Sequence, residues 1–206
     1  MKRIFIGVFF VSIALLFAEN NSNEGLNVIK SKNGFVFVFN DSSESFKIEI
    51  KGKKFVDVEP EELIFSIDGQ IVQFTIVPVK EFFKNDLTLD TLLQHFEFEK
   101  KYISNITNSD LQNLKPKLLK SKTGRKVCFW ELNRNTSYLD TSSENVTKQI
   151  FASTNTYKYV ILISSPLTKR NDFKKSKNRL INSLLDLQRT QGMFNLDLIR
   201  ESLKRD

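Results

Sequence analysis

The chain of 206 residues contains one cysteine, one histidine, four prolines and seven glycines. One cysteine excludes an internal disulfide framework and a cysteine-based zinc site. One histidine excludes the paired-histidine metal motifs. So little glycine and proline excludes collagen-like, elastic and low-complexity classes. Beyond the N-terminal segment no run is apolar enough to cross a bilayer. The longest, Tyr159 to Ile163, is strand-sized. No nucleophile, cofactor or metal motif emerges, so no catalytic, cofactor-binding or metal residue is assigned.

What is present is an ordinary globular balance, 40% hydrophobic and 27% charged residues, which argues against disorder. The length suits a single domain. Met1-Lys2-Arg3 is a short positive head. Ile4 to Phe17 is an apolar run of 14 residues, short of the roughly 20 needed to span as a helix. Ala18 offers a small residue at a cleavage point. The expectation is a signal peptide over residues 1–18 and export to a bacterial periplasm or medium. The alternative is an uncleaved N-terminal anchor, because Leu16 is larger than the ideal residue at its position. Cys128 lies far from the apolar run, so a lipoprotein anchor is not expected. Residues 19–26 read as a linker, 27–190 as one α+β domain and 191–206 as a C-terminal amphipathic tail. The composition, rich in Lys, Asn and Phe, fits a bacterium with an AT-rich genome. There the sequons at Asn40, Asn105, Asn135 and Asn145 are silent.

The strands are legible by period. Phe35, Phe37 and Phe39 alternate with Val36 and Val38, which predicts a strand buried on both faces. Phe46, Ile48 and Ile50 alternate with charge, which predicts a half-exposed one. Lys51 to Lys54 turns into Phe55 to Val58. Asp68-Gly69 suits a type I′ turn. Folding about it pairs Phe65 with Val72, Leu63 with Phe74, Ser66 with Ile71 and Ile64 with Gln73. A helix is predicted from about Thr88 to Ile103, capped by Thr88 or Asp86. Further strands are expected over Lys117 to Ser121 and Lys126 to Leu132. Another hairpin joins Lys148 to Ser153 with Tyr157 to Ser164, ended by Pro166. A second long helix is expected from Asp172 to Arg189, burying Phe173, Leu180, Ile181, Leu184 and Leu187 and stopped by Gly192. Phe194 to Leu203 reads as a weak amphipathic helix. Strands, helix, strands, helix, joined mainly by hairpins, predict an α+β fold: an antiparallel sheet sandwich with two main helices.

Gly124-Arg125-Lys126-Val127-Cys128-Phe129-Trp130-Glu131 resembles the Gly-basic-x-aromatic-x-x-Glu strand of the PsbP/Mog1/DcrB-like family. Lys148 to Ala152 followed by Tyr157 to Leu162 resembles that family's next hairpin, and the helix ending near Ser183-Leu184-Leu185 follows in the same order. The resemblance covers roughly Leu87 to Leu187. It implies an α/β/α sandwich and a protein that binds other proteins rather than an enzyme. The family has no universal catalytic set to transfer.

Several candidate chemistries reduce to packing. Cys128, imagined as a nucleophile with His95 as base, reads better as a strand cysteine packing as a small hydrophobe. His95 reads as a helix-surface or boundary residue. Asp57, Glu59, Glu61 and Glu62 read as a solvated turn rather than a calcium loop, because Pro60 interrupts them. The Phe35, Phe37 and Phe39 stripe reads as core, although with Phe74 it could line a ligand cleft.

The functional lead is charge. The whole chain carries +7, but unevenly. Lys115, Lys117, Lys120, Lys122, Arg125 and Lys126 form one stretch without an acid. Lys169, Arg170, Lys174, Lys175, Lys177 and Arg179 form a second, with only Asp172 opposing. Such stretches attract anionic lipid, polyanions or acidic proteins, and export disfavours nucleic acid. The expectation is a non-catalytic accessory protein that binds a protein or an envelope surface through these patches. The alternative is a small-molecule module with an aromatic-lined cleft, and a hydrolase is the most remote.

Overall fold

The computed structural model describes residues 24–59, 62–81, 90–133 and 146–205. The expected signal peptide, most of the expected linker, and the sequons at Asn135 and Asn145 lie outside them. In chain order the strands are β1 (Gly25–Lys30), β2 (Gly34–Asn40), β3 (Ser45–Lys51), β4 (Phe55–Glu59), β5 (Ile64–Ile67), β6 (Gln70–Pro78), β7 (Lys117–Lys120), β8 (Lys126–Asn133), β9 (Val146–Asn155), β10 (Tyr159–Thr168) and β11 (Gln188–Thr190). The helices are α1 (Thr91–Thr107), α2 (Phe173–Leu185) and α3 (Leu196–Arg205). The fold is α+β. One sheet runs β1-β2-β3-β11 and the other β4-β5-β6-β10-β9-β8-β7, with antiparallel pairing at every described ladder.

Strand β2 explains how the layers stack. Its odd residues Phe35, Phe37 and Phe39 pack with Phe65, Phe74, Ile161 and α2. Its even residues Val36 and Val38 pack with Leu196 and Ile199 of α3. Every residue of β2 is buried, as its double apolar pattern requires. The large sheet is covered twice as well. One face meets the small sheet and α2. The other carries Trp130, Phe151 and Leu162 against Leu92, Phe96 and Ile103 of α1. The order of layers is therefore α1, large sheet, small sheet with α2 beside it, then α3.

Between the sheets the aromatic rings fill the space. Phe37 lies 4.3 Å from Phe74 and 5.2 Å from Phe65 between centroids, and Phe35 stacks on Phe55 at 4.2 Å. Each such ring stabilises by about 1.5–3 kcal/mol on full burial. Phe35, Phe37 and Phe74 are all buried, so the aromatic-lined cleft imagined among them is filled by the rings themselves.

The β5–β6 hairpin has the predicted register, Phe65 against Val72, Ser66 against Ile71 and Ile64 against Gln73. Asp68 and Gly69 adopt φ of 54° and 79°, as a type I′ turn demands.

Other expectations change where distant partners intervene. The linker ends earlier, because Gly25 already pairs with Asn40 in β1. Helix α1 is capped by Asp90, whose carboxylate accepts from the Leu92 N–H, and it continues to Thr107, past Ile103. Residue 95 is not on the helix surface. Leu92, His95, Phe96, Glu99 and Ile103 form one buried stripe at helical spacing. The polar pair fits there because His95 Nε2 lies 3.4 Å from Glu99 Oε1. Pro166 does not end its strand: it pairs with Gln149 inside β10. It sits past Ser164, the last residue of β10 paired with β6, where one side of the strand carries no ladder.

Helix α2 begins as expected, with Asp172 accepting from Lys175 N–H, but it stops at Leu185 and not at Arg189. Gln188–Thr190 instead pairs with the open edge of β3, a tertiary demand that overrides local helix preference. Phe173 is 38% exposed rather than buried. The tail forms a docked third helix, with Leu196 and Ile199 buried. Among the described residues no helix is long and apolar enough to cross a membrane.

Candidate functional site

Strand alternation divides the first basic stretch. Lys117 is the ladder partner of Phe129, whose ring faces the α2 side. Lys120 is the partner of Lys126 and so lies on the opposite, α1 side. The second stretch meets only the first of these groups. Lys177 Nζ sits 4.7 Å from the Phe129 ring centroid and 6.0 Å from that of Phe173. On the other flank of Phe173, Lys148 Nζ lies 4.6 Å from its centroid and 3.0 Å from Glu131 Oε1. Paired strands hold opposed side chains about 5 Å apart at Cβ. Lys177 and Lys148 therefore flank the half-open Phe173 ring, Lys117 stands beside Phe129 on the same side of the sheet, and Glu131 offsets the charge of Lys148.

Lys174 and Lys175 are exposed on the first turns of α2, and Lys169 and Arg170 are exposed in the turn leading into it. Arg179 does not belong to this face. Its guanidinium donates to Ile67 O at 2.7 Å, Gln70 Oε1 at 3.2 Å and Asp68 Oδ2 at 2.7 Å, which ties α2 to the β5–β6 turn. Burial raises the Asp68 carboxyl, but the Lys54 and Lys53 N–H groups and Arg179 outweigh it and hold its pKa below the usual value. Lys115 and Lys122 are exposed at the two ends of the β7–β8 hairpin.

The remaining two residues of the first stretch line an open pocket of about 510 Å³. Arg125 and Lys126 come from the β7–β8 hairpin, Asp90 and Thr91 from the start of α1, Asn155 from the end of β9 and Arg189 from β11. Gly124, in the left-handed region at φ 88°, allows the hairpin to present Arg125. Lys126 Nζ is paired with Asp90 Oδ2. Arg189 lies over the Tyr157 ring, its Cζ 3.9 Å from the centroid, and donates to the Tyr157 hydroxyl at 3.0 Å. Among the described residues no carboxylate pairs with Arg125 or Arg189. Burial, and then the charge of Arg189, lowers the pKa of Arg125.

Next to this pocket, the β9–β10 turn is held by a carboxylate that the sequence did not mark. Glu44, in the β2–β3 connection, is 3% exposed. It accepts from Thr156 Oγ1 at 2.8 Å, Tyr157 N at 3.2 Å and Lys158 N at 2.9 Å. That fastens the β9–β10 turn, and with it Tyr157, to the small sheet. Arg189, Asn155 and Asp90 were likewise missed, since each reads locally as a helix end or turn residue.

Cys128 is fully buried beneath α1. Burial, then the Asp90 charge, pushes its thiol up to about 12, so it stays protonated and packs as a small hydrophobe. Among the described residues no group of three or more His, Cys, Asp or Glu could hold a metal ion.

No family model matches the chain, and no curated protein matches it in sequence. Among solved structures it is similar to cyanobacterial PsbP (CyanoP) from Synechocystis sp. PCC 6803, at 13% identity and a TM-score of 0.43, with 84% of this chain and 98% of that chain covered.

Proposed function

We propose that the chain is an exported, non-catalytic accessory protein that binds an anionic envelope surface or an acidic protein through the face around Phe173. The observation that supports this most is the meeting of two basic stretches far apart in sequence, with Lys177 over the Phe129 ring and Phe129 paired with Lys117. An open aromatic ring flanked by lysines suits a charged interface. The ring takes up apolar contact while the ammonium groups reach the anionic partner. Export rests on the N-terminal charge and apolar run.

The test is co-sedimentation with anionic and neutral vesicles, and capture on immobilised polyglutamate, across a salt series. Binding should fall steeply as the Debye length drops from ~10 Å at 0.1 M to ~3 Å at 1 M. Lys117→Gln with Lys177→Gln should weaken it at a stability cost of about 0.5–1 kcal/mol, mostly from losing the half-buried Lys177 ammonium over the Phe129 ring. Equal binding to neutral and anionic surfaces at low salt would overturn the proposal.

A further inference from the structure

The cavity between β8, β11 and α1 has a charge pattern that its own residues do not neutralise. Arg125, Arg189 and Lys126 contribute three positive charges, and Asp90 contributes one negative charge. Lys126 and Asp90 pair with each other. The two guanidinium groups remain, Arg125 half-buried and Arg189 exposed, stacked on Tyr157 and donating one N–H to its hydroxyl, with no carboxylate bonded to either among the described residues. Two like charges that share a pocket repel, weakly on the side where Arg189 meets solvent and more strongly around half-buried Arg125. An anion between them removes that repulsion.

The donor set defines the anion. Each guanidinium offers a planar fork of N–H groups that matches two oxygens of one acceptor. Thr91 and Asn155 add neutral polar side chains to the lining. One guanidinium from the β7–β8 turn and one from β11 suit an acceptor with several oxygens and a charge near −2. A single planar carboxylate supplies two oxygens and one charge. We propose that this pocket is a phosphate site, with the phosphoryl group held between Arg125 and Arg189. The cavity is about 510 Å³, within the range of small-molecule sites and much larger than a free phosphate ion needs. That leaves room beside the phosphoryl group for the rest of a phosphomonoester, either soluble or the headgroup of a lipid.

This inference stands apart from the proposed function, because the pocket and the Phe173 face use different lysines and arginines. Calorimetric titration of the full chain with inorganic phosphate, at ionic strength held constant with sodium chloride, reads the site directly. Glycerol 3-phosphate and vesicles containing phosphatidic acid then distinguish the soluble source from the lipid one. Arg125→Gln and Arg189→Gln should each weaken phosphate binding by about tenfold or more, the loss of one charge-assisted bidentate contact. Lys117→Gln with Lys177→Gln should leave it unchanged. Thermal melting checks that each variant is folded, and Arg125→Lys provides a second, milder probe that keeps the charge and loses the fork. Phosphate binding no tighter than that of chloride would overturn the proposal. So would equal weakening by the Lys117 and Lys177 substitutions, which would mean nonspecific charge attraction.

Discussion

Glu44→Ala tests the join between the two sheets. The wild-type carboxylate accepts three hydrogen bonds from the β9–β10 turn. Each bond to an ionised acceptor contributes about 1.5–3 kcal/mol, but the sum overstates the loss. Tyr157 and Lys158 are exposed, so their freed N–H groups would reach water. Thr156 Oγ1 keeps the Tyr159 carbonyl at 3.4 Å as a second acceptor. Removing a nearly buried carboxylate also removes its own desolvation cost. The expected net loss is about 2–3 kcal/mol, or a fall in Tm of about 4–12 °C for a domain of this size. Glu44→Gln keeps an acceptor oxygen and should lose less than half as much. Urea titration and calorimetry measure both. If Glu44→Ala unfolds within about 0.5 kcal/mol of the wild type, the turn is held by something else.

Gly69→Val should cost about 1–3 kcal/mol in urea denaturation. Nothing lies within 4 Å of the added Cβ, so the whole penalty comes from a β-branched residue at φ of 79°. Because the Asp68 pKa is depressed in the folded state, its contribution is present above its unfolded value near 4 and lost as pH falls through the folded one. Stability curves between pH 5 and 2 should therefore fall less steeply for Asp68→Asn than for the wild type, and parallel curves would contradict this. Cys128→Ser should lose about 1–3 kcal/mol by burying a hydroxyl among apolar side chains, while vesicle binding persists. A folded variant with no binding would show that the thiol does more than pack.

Elements decided by neighbouring residues were legible in the sequence. The β5–β6 turn needs only Asp68-Gly69 and the alternation beside it, and the double apolar pattern of β2 required cover on both faces. What supplied that cover was hidden, because α3 lies more than a hundred residues further along the chain. The same distance concealed the pocket. Arg189 reaches Arg125 only because Gln188–Thr190 pairs with β3, and no local signal at Gln188 forbids continuing the helix. Glu44 was equally silent, since its partners at Thr156 to Lys158 lie more than a hundred residues away. The division of the first basic stretch, by contrast, was readable. Lys117 and Lys120 stand at odd separation in one strand, and period-2 alternation sends them to opposite faces. Treating the stretch as a single patch ignored that rule.

Lysine footprinting on the bound protein tests the central claim most directly. The full chain is acetylated briefly, with and without anionic vesicles or polyglutamate, and each lysine is quantified by mass spectrometry. Binding through the Phe173 face predicts protection of Lys117, Lys148, Lys174 and Lys177 at low salt, lost at 1 M salt as screening shortens to ~3 Å. Lys30, in the edge strand β1 of the small sheet, and Lys204 on α3 should react equally in both conditions. Uniform reactivity in the presence of bound vesicles, or protection centred on Lys30 and Lys204, would contradict the account.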